Sequence, residues 1–451
     1  MEIQEFKRTV FAAGKDAGLE DMEVFFTRSK SFSTRIFQKE VDDYRVSVVQ
    51  GVGFRARFAG KVGYSYTETL DEESVELLIR GAKANAQIID SDEEIEFFPG
   101  SVDYPEVVAF DPAIEAVTAE EKIDFAKALE TEAFATDERV AMVNWATTGY
   151  TETDVYIANT KGLEQSFRRN GAYGFVSAVV RQDEQAKTGS RMVFGNDWSQ
   201  FDAKKLAKEA VEEAASLLGA RSLPSGDYRV LLRHDVARDL LATFSSVFSA
   251  EAVQKGLSLL AGKLNEKIAS PCITLVDDPL LKNGGASASF DDEGVATHTK
   301  NVIEEGKLMT FLHNLKTAKK DGVEPTGNAS RASFKSPVGI SPSNFFIQPG
   351  TMSYDALVET LDNGIIIIDV QGLHSGANPV SGDFSLGAYG YLVENGVIVR
   401  PLEQITVAGN FFTVLDEVEA IGADLEFGSP GSGGHVGSPS LLIRQLSVAG
   451  N

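Results

Sequence analysis

The chain has 451 residues, 43% hydrophobic and 24% charged, which suits two or three cored domains and excludes wholesale disorder. Its formal net charge of −24 argues against a phosphate-backbone partner, because such affinity comes from clustered Lys and Arg displacing counterions. The lone cysteine, Cys272, excludes an internal disulfide framework and fits a reducing compartment; beside Pro271 and an apolar run it reads as a small buried hydrophobe.

The N-terminus, MEIQEFKRTVFAAGKDAGL, mixes acids and bases at helical spacing and lacks the apolar core of a signal peptide. No later run approaches the roughly 18–20 apolar residues of a membrane span, so a cytoplasmic protein is expected. Ile3, Phe6, Val10 and Phe11 mark a first amphipathic helix, followed by strand-like runs at 22–27, 32–38, 44–49 and 52–58 and a helix over 71–87. An acidic connector, DSDEEIEFFPGSVDYPEV, broken by Pro99 and Pro105, reads as a solvated crossover.

The pattern then recurs. A helix over 119–135 precedes strands at 140–146, 151–158, 163–169 and 172–181 and a helix over 202–218, with Asp71 and Asp202 as equivalent N-caps. Residues 1–221 are therefore expected to form an N-terminal α+β domain with an internal duplication (about 1–89 and 119–218). Residues 222–451 are expected to form a β-rich C-terminal domain, with the boundary at SLPSG.

Beyond that boundary strands are expected at 229–232, 273–276, 345–348, 365–370 and 441–446, with helices over 235–260, broken near Gly256, and 354–361. Asp291, Asp292 and Glu293 before Gly294 read as a β-turn. The run GSPGSGGH at 428–435 lacks the strand, helix and Lys of a phosphate-cradling loop and reads as a mobile surface loop. Residues 375–409, SGANPVSGDFSLGAYGYLVENGVIVRPLEQITVAG, form the most detailed signal: an Asn-Pro turn, an alternating strand, a Glu-Asn-Gly hairpin and a second strand.

This segment resembles the C-terminal signature of the TldD/PmbA family, NPVxGDFSxGAxGYxxENG followed by a strand ending in AGN, here Ala408, Gly409 and Asn410. Further pieces match in order: VGFRAR at 52–57, DDP at 277–279, FDDEG at 290–294, LHN at 312–314 and TGN at 326–328. The resemblance implies an α+β fold and a cytoplasmic peptidase system acting on unfolded peptides and small proteins. In its peptidase members an HExxxH helix binds zinc through two His while the Glu activates water.

At the corresponding place this chain reads Arg233, His234, Asp235, Val236, Ala237, Arg238, Asp239. His234, Asp235 and Asp239 are the only metal candidates there. Helical spacing sets Arg238 on the face of His234, which disfavours a cation, so no metal and no catalytic residue is assigned to this chain. The bland reading is a helix start with Asp235 near the dipole's positive end. His298, His313, His374 and His435 are scattered, and His313 reads as a structural hydrogen-bonder. Ser375 beside His374 and Ser381 near Asp383 form no nucleophile elbow.

Chains of the family without HExxxH resemble its PmbA, or TldE, subunit, which pairs with a zinc-bearing TldD-like catalytic subunit. The zinc is therefore expected in the partner. Asn378, Pro379, Gly382, Asp383, Phe384, Gly390 and Tyr391 are the candidates for lining a peptide cleft or subunit interface by edge-strand addition; packing of the hairpin on its own domain is the alternative. A stand-alone metal-dependent peptidase with an atypical site and a non-enzymatic modulator of DNA gyrase remain as other readings. A homodimer is open when the partner is absent.

Overall fold

The computed structural model describes residues 1–89, 95–431 and 433–451. Helix α1 (Ile3–Asp16) buries Phe6 and Val10 on one face. Antiparallel strands β1 (Met22–Phe37), β2 (Glu40–Phe58) and β3 (Lys61–Thr67) follow, then α2 (Glu72–Ile88), which starts where the Asp71 carboxylate accepts the Ser74 N–H. After a short α3 (Pro112–Ala116) the order recurs: α4 (Ala119–Thr136), entered through a Thr118/Glu121 capping box, β4 (Val140–Asn159), β5 (Glu164–Gln182), β6 (Gln185–Gly195) and α5 (Ala203–Ser216), capped by Asp202.

All six strands form one antiparallel sheet, order β3-β2-β1-β4-β5-β6, joined centrally by β1 and β4. Each pair of expected short strands is one continuous strand, because polar stretches such as Arg28–Ser31 run through the extended sheet instead of turning out of it. The expectation missed β3 and β6. Both are marked by a glycine: a Cβ on Gly63 would collide with Ala82 O of α2, and one on Gly189 with Ala210 O of α5. The same close strand–helix approach thus occurs in both halves.

The C-terminal part contributes β7 (Gly226–Leu232), α6 (His234–Phe244), α7 (Ala250–Gln254), β8 (Leu275–Asp277), β9 (Lys300–Glu304), β10 (Lys307–Leu308) and α8 (Leu315–Asp321). Next come β11 (Ala329–Ser330), β12 (Gly339–Ile340), β13 (Asn344–Ile347), α9 (Tyr354–Leu361), β14 (Gly364–Gln371) and α10 (Leu373–Gly376). The chain ends through β15 (Asp383–Glu394), β16 (Val397–Asn410), α11 (Phe411–Asp416), β17 (Val418–Ile421), β18 (Glu426–Phe427), β19 (His435–Ser438) and β20 (Leu441–Ala449).

Strands β16-β15-β14-β7-β20 close on themselves through a β16–β20 pairing, a small barrel with β17 appended to β20. A second sheet runs β10-β9-β8-β13-β19-β18. Between them α6 buries Val236, Leu240, Leu241 and Phe244 in one core with both sheets, while α9 covers the opposite side of β7 and β14 with Leu357, Val358 and Leu361. The molecule is α+β. The helix expected over 235–260 is instead α6, a 3-10 turn (Ser245–Phe248) and α7, stopping at Gly256, whose φ of 70° is left-handed.

Several local expectations change. Cys272 is exposed, its Sγ facing Val418 O at 3.5 Å, because Pro271 and Cys272 precede the buried strand and do not join it. Residues 90–94 of the acidic connector lie outside the described residues. The rest of the connector is anchored: Phe97 is buried under the Arg55 guanidinium, and Tyr104 donates to Gly294 O at 2.8 Å. His313 is buried; its backbone exchanges hydrogen bonds with the Thr326 hydroxyl, its ring interacts with the Thr317 backbone, and among the described residues ring Nδ1 has no hydrogen-bond partner.

Residues 291–294 do form the expected turn, Gly294 N–H donating to Asp291 O at 2.9 Å, yet Asp291 and Glu293 are buried. Asp291 accepts the N–H groups of Glu293, Val295 and Ala329, while Glu293 belongs to an ionic cluster between the N-terminal sheet and the C-terminal part. Glu23 of β1 pairs with Arg55 of β2 at 2.7 Å and with Arg331 at 2.7 Å, and Arg55 reaches Glu293 at 3.5 Å. Burial pushes the Glu23 pKa up, but the two guanidinium groups more than offset this and hold it below the usual range.

Candidate functional site

Two parallel strands, β7 and β14, end side by side, and the crevice outside their carboxyl ends carries the residues of interest. From β7 the chain turns directly into α6, where the Asp235 carboxylate accepts the Val236 N–H at 3.0 Å and sits at the favourable end of the helix dipole. Arg233, just before α6, donates to Asp235 at 2.6 and 2.9 Å and to Ile368 O at 2.9 Å, and pairs with Glu213 of α5. Glu213 also accepts from Arg191 of β6 at 2.8 Å, so one ion chain spans both sheets.

The acids of this crevice are held in different states. Burial raises Asp235, but its bonds to Arg233 outweigh that and keep it low. Burial raises Asp239 above its ordinary value, with the Arg238 charge only partly opposing. Asp369, at a bulge in β14, is pushed up to about 6 by burial and then by the charge of Asp235. Asp369 is thus a titratable group with two acids, Asp235 and Glu213, as neighbours, an arrangement suited to proton exchange near neutral pH.

The structure does not assemble a zinc site from His234, Asp235 and Asp239. Asp239 is paired with Arg238 at 2.9 Å, Asp235 is paired with Arg233, and His234 Nε2 lies 3.6 Å from Glu426, itself approached by Arg238. Both carboxylates are thus bound to guanidinium groups, and among the described residues no group of three His, Cys, Asp or Glu is placed to hold a metal. The residues present do not fit the family's zinc.

The crevice, about 1140 Å³, opens along the sheet face. Through Phe194, Asn283, Ser429 and Gly431 it continues into a compartment of about 420 Å³ lined by Arg169, Tyr173 and Thr151. Thr153, Arg169 and Ala286 lead on to one of about 450 Å³ that ends near Val49 of β2. The three compartments adjoin one another as a groove between the N-terminal sheet and the C-terminal loops.

Residues 428–431 and 433–435, within the segment 428–435 expected as a mobile surface loop, form one lip of this groove. Gly431 and Gly434 pair with each other, and His435 is buried in β19, stacked on Phe427 at 4.6 Å with Nδ1 accepting the Gly285 N–H at 3.0 Å. Burial pushes His435 down to about 4, so it is neutral at physiological pH. Ser432 lies outside the described residues.

The residues of the hairpin signature are placed elsewhere, and none of them lines this groove. Asn378 Oδ1 accepts the Val380 N–H at 3.0 Å and its own N–H donates to Asp383 O at 2.8 Å, closing the turn that contains Pro379. Gly382 has φ 82°, and a Cβ there would press on Phe412. Asp383 accepts from Asn410 Nδ2 at 2.9 Å, which holds its carboxyl low and ties the turn to the AGN end of β16. Phe384 is buried against Phe244 of α6, a Cβ on Gly390 would collide with Ile366 O, and the Tyr391 hydroxyl meets Ser216 of α5 at 2.6 Å. The signature builds and braces the barrel that positions α6.

The sequence reading missed Arg169, Glu213, Asp369 and Glu426. Asp369 had a signal: it is the first charge after four consecutive isoleucines, at the carboxyl end of a buried strand. The others reach the site only through the packing of separate elements.

Family profiles match nearly the whole chain: PmbA/TldA metallopeptidase domain 1 at residues 22–86, the central domain at 112–218 and the C-terminal domain at 225–450. The chain belongs to the PmbA/TldD metallopeptidase family. A metalloprotease PmbA homolog of Haemophilus influenzae is 26% identical over 446 residues, covering 95% of this chain and 92% of its own. A metalloprotease TldD homolog of the same organism is 28% identical over 462 residues, with the same shares.

Among solved structures, a Thermotoga maritima protein described as a candidate modulator of a DNA gyrase superposes with a TM-score of 0.89 at 36% identity, covering 99% of this chain and 100% of that one. TldE from Thermococcus kodakarensis shares the fold, with a TM-score of 0.89 at 21% identity over 99% of this chain and 100% of that one. In this PmbA/TldD member no His is followed by Glu anywhere in the sequence, so HExxxH is absent as well as unassembled. Among the described residues, no helix is long and apolar enough to cross a membrane.

Proposed function

We propose that this chain is a PmbA/TldE-like subunit of a cytoplasmic TldD/TldE-type zinc metallopeptidase complex, binding unfolded peptide in its groove while a TldD-like partner supplies the metal. The observation that carries this reading is a groove that ends at α6, where the family's metal helix would lie and where Arg238 and Asp239 pair instead. A groove beside strands suits extended backbone of varied sequence. Apolar side chains left in solvent at the β15–β16 hairpin tip, Val397, Ile398 and Val399, and on β2, Tyr44, Val46 and Val48, offer surface for a partner subunit. The turn at Asn378 and Pro379, at the opposite end of the same two strands, is a separate candidate contact.

The test is zinc content and cleavage of an unfolded protein, for the chain alone and mixed with a TldD-like partner. No zinc and no cleavage alone, with cleavage in the mixture above that of the partner by itself, is the expected result. Stoichiometric zinc with activity in the isolated chain overturns it and favours a stand-alone peptidase built around His234. A gyrase-modulating role rests on the descriptions of neighbours such as the Thermotoga protein; saturable binding to gyrase without peptide cleavage by any mixture would support it instead.

A further inference from the structure

The arginines that face the junction of the two sheets are almost all paired: Arg55 and Arg331 with Glu23, Arg191 and Arg233 with Glu213, Arg238 with Asp239. Arg169 is the exception. Its guanidinium makes no hydrogen bond or ion pair among the described residues, and it lines two successive compartments of the groove. Its side chain is solvent-exposed and lines the groove. The nearest opposing charge, Asp292, is engaged by the Arg331 N–H at 2.6 Å, and burial raises its pKa. Desolvation lowers the pKa of Arg169 itself, so an arriving anion relieves an existing cost.

The strand pattern shapes the surroundings. Arg169, Gly171 and Tyr173 alternate on one face of β5, giving a cation, a gap and a phenol, with Thr153 opposite Arg169 and Gly149 opposite Tyr173. A Cβ on Gly171 would touch the Phe194 ring, which forms the apolar side of the same compartment with Pro430. The Tyr173 carbonyl accepts from Thr148 at 2.9 Å, while its hydroxyl makes no hydrogen bond to protein among the described residues. From Arg169 the same strand reaches Phe175, on the wall of the α6 crevice, six residues or about 20 Å away.

We propose that Arg169 forms a carboxylate subsite of the groove, anchoring the C-terminal carboxylate or an acidic side chain of an extended peptide about six residues from α6. This rests on the reading of the groove as a peptide site. The subsite gives the groove a polarity and a preference: a guanidinium takes a carboxylate through two parallel N–H donors, whereas the rest of the groove meets main chain.

The test uses the full chain and three fluorescein-labelled hexapeptides of Ala, Ser and Gly: one with a free C-terminus, its C-terminal amide, and the amide carrying one Asp. Fluorescence anisotropy is expected to show the free acid or the Asp peptide binding roughly tenfold or more tighter than the plain amide. Arg169→Gln is expected to abolish that preference, and Arg169→Lys to restore it in part. Preference for the free acid identifies the terminus as the ligand, and preference for the Asp peptide identifies a side chain; either supports the subsite. Equal affinity of wild type for all three peptides overturns it while the peptide-groove reading stands, and this arm needs no variant to fold. Equal weakening of all three by Arg169→Gln also overturns it. Binding of none of them by wild type overturns both.

Discussion

Removing Glu23 should uncouple the two parts of the molecule. Glu23 is fully buried and carries both the Arg55 and the Arg331 ion pairs, so Glu23→Ala strips Arg331 of its ion-pair partner and leaves Arg55 with the 3.5 Å contact to Glu293. Breaking a buried pair from one side costs about 3–5 kcal/mol, because the stranded charge keeps its desolvation penalty. Arg331 stands in the C-terminal part and Glu23 in the N-terminal sheet, so the loss falls on their interface. Both tryptophans, Trp145 and Trp198, lie with the N-terminal sheet, so their fluorescence reports that part while far-UV circular dichroism reports the whole chain.

In urea, the Glu23→Ala transitions by the two probes should separate and move to lower denaturant. The double variant Glu23→Leu/Arg331→Met should recover most of the loss, because it removes a stranded charge along with the carboxylate. The pH dependence has a fixed sign: the folded pKa of Glu23 is depressed, so its contribution is complete above the ordinary carboxylate value of 4.5 and is lost as pH falls through the folded value. Transitions that coincide with wild type within about 1 kcal/mol, or a double variant worse than the sum of the singles, would refute the argument.

Three further outcomes are expected. Gly390→Ala, which sets a methyl against Ile366 O in the adjacent strand, should cost at least about 1–3 kcal/mol in thermal or urea unfolding; an unchanged midpoint would show that the barrel relaxes around it. Asp235→Glu with Asp239→His writes HExxxH into α6, yet zinc uptake measured by mass spectrometry should stay low until Arg238→Ala is added, and full loading with Arg238 in place would contradict the reading of that guanidinium. Asp369 has a folded pKa raised to about 6, so its stability contribution is present below its unfolded value and lost as pH rises towards 6. Asp369→Asn should therefore match wild type near pH 4 and exceed it above pH 6 by about 1 kcal/mol, the full shift being discounted for the exposed side chain; a constant difference across pH would refute this.

The order of elements was legible because it rests on local physics. Asp71 and Asp202 cap the helices they were read to cap, and the helix expected over 354–361 is α9. Strand ends were less legible: nothing local distinguishes the polar stretch Arg28–Ser31, which continues β1, from a turn, since the pairing partner on β4 decides it. The helix expected over 235–260 failed for the same kind of reason, its apolar residues being shared among α6, a 3-10 turn and α7 inside one core.

What the sequence by itself determined was the family signature, the lack of HExxxH and the alternation of strand and helix, each a property of neighbours along the chain. The tertiary structure alone decided where the signature acts and where the groove lies. Asn378 and Asp383 turned out to close a turn held by Asn410, while Arg169, Asp369 and Glu426 line the groove without any motif to announce them. The physical reason is distance in sequence: a groove wall assembled from β5, β14 and β18 depends on how separate elements pack, and that information is spread over the whole core and not held in any one segment.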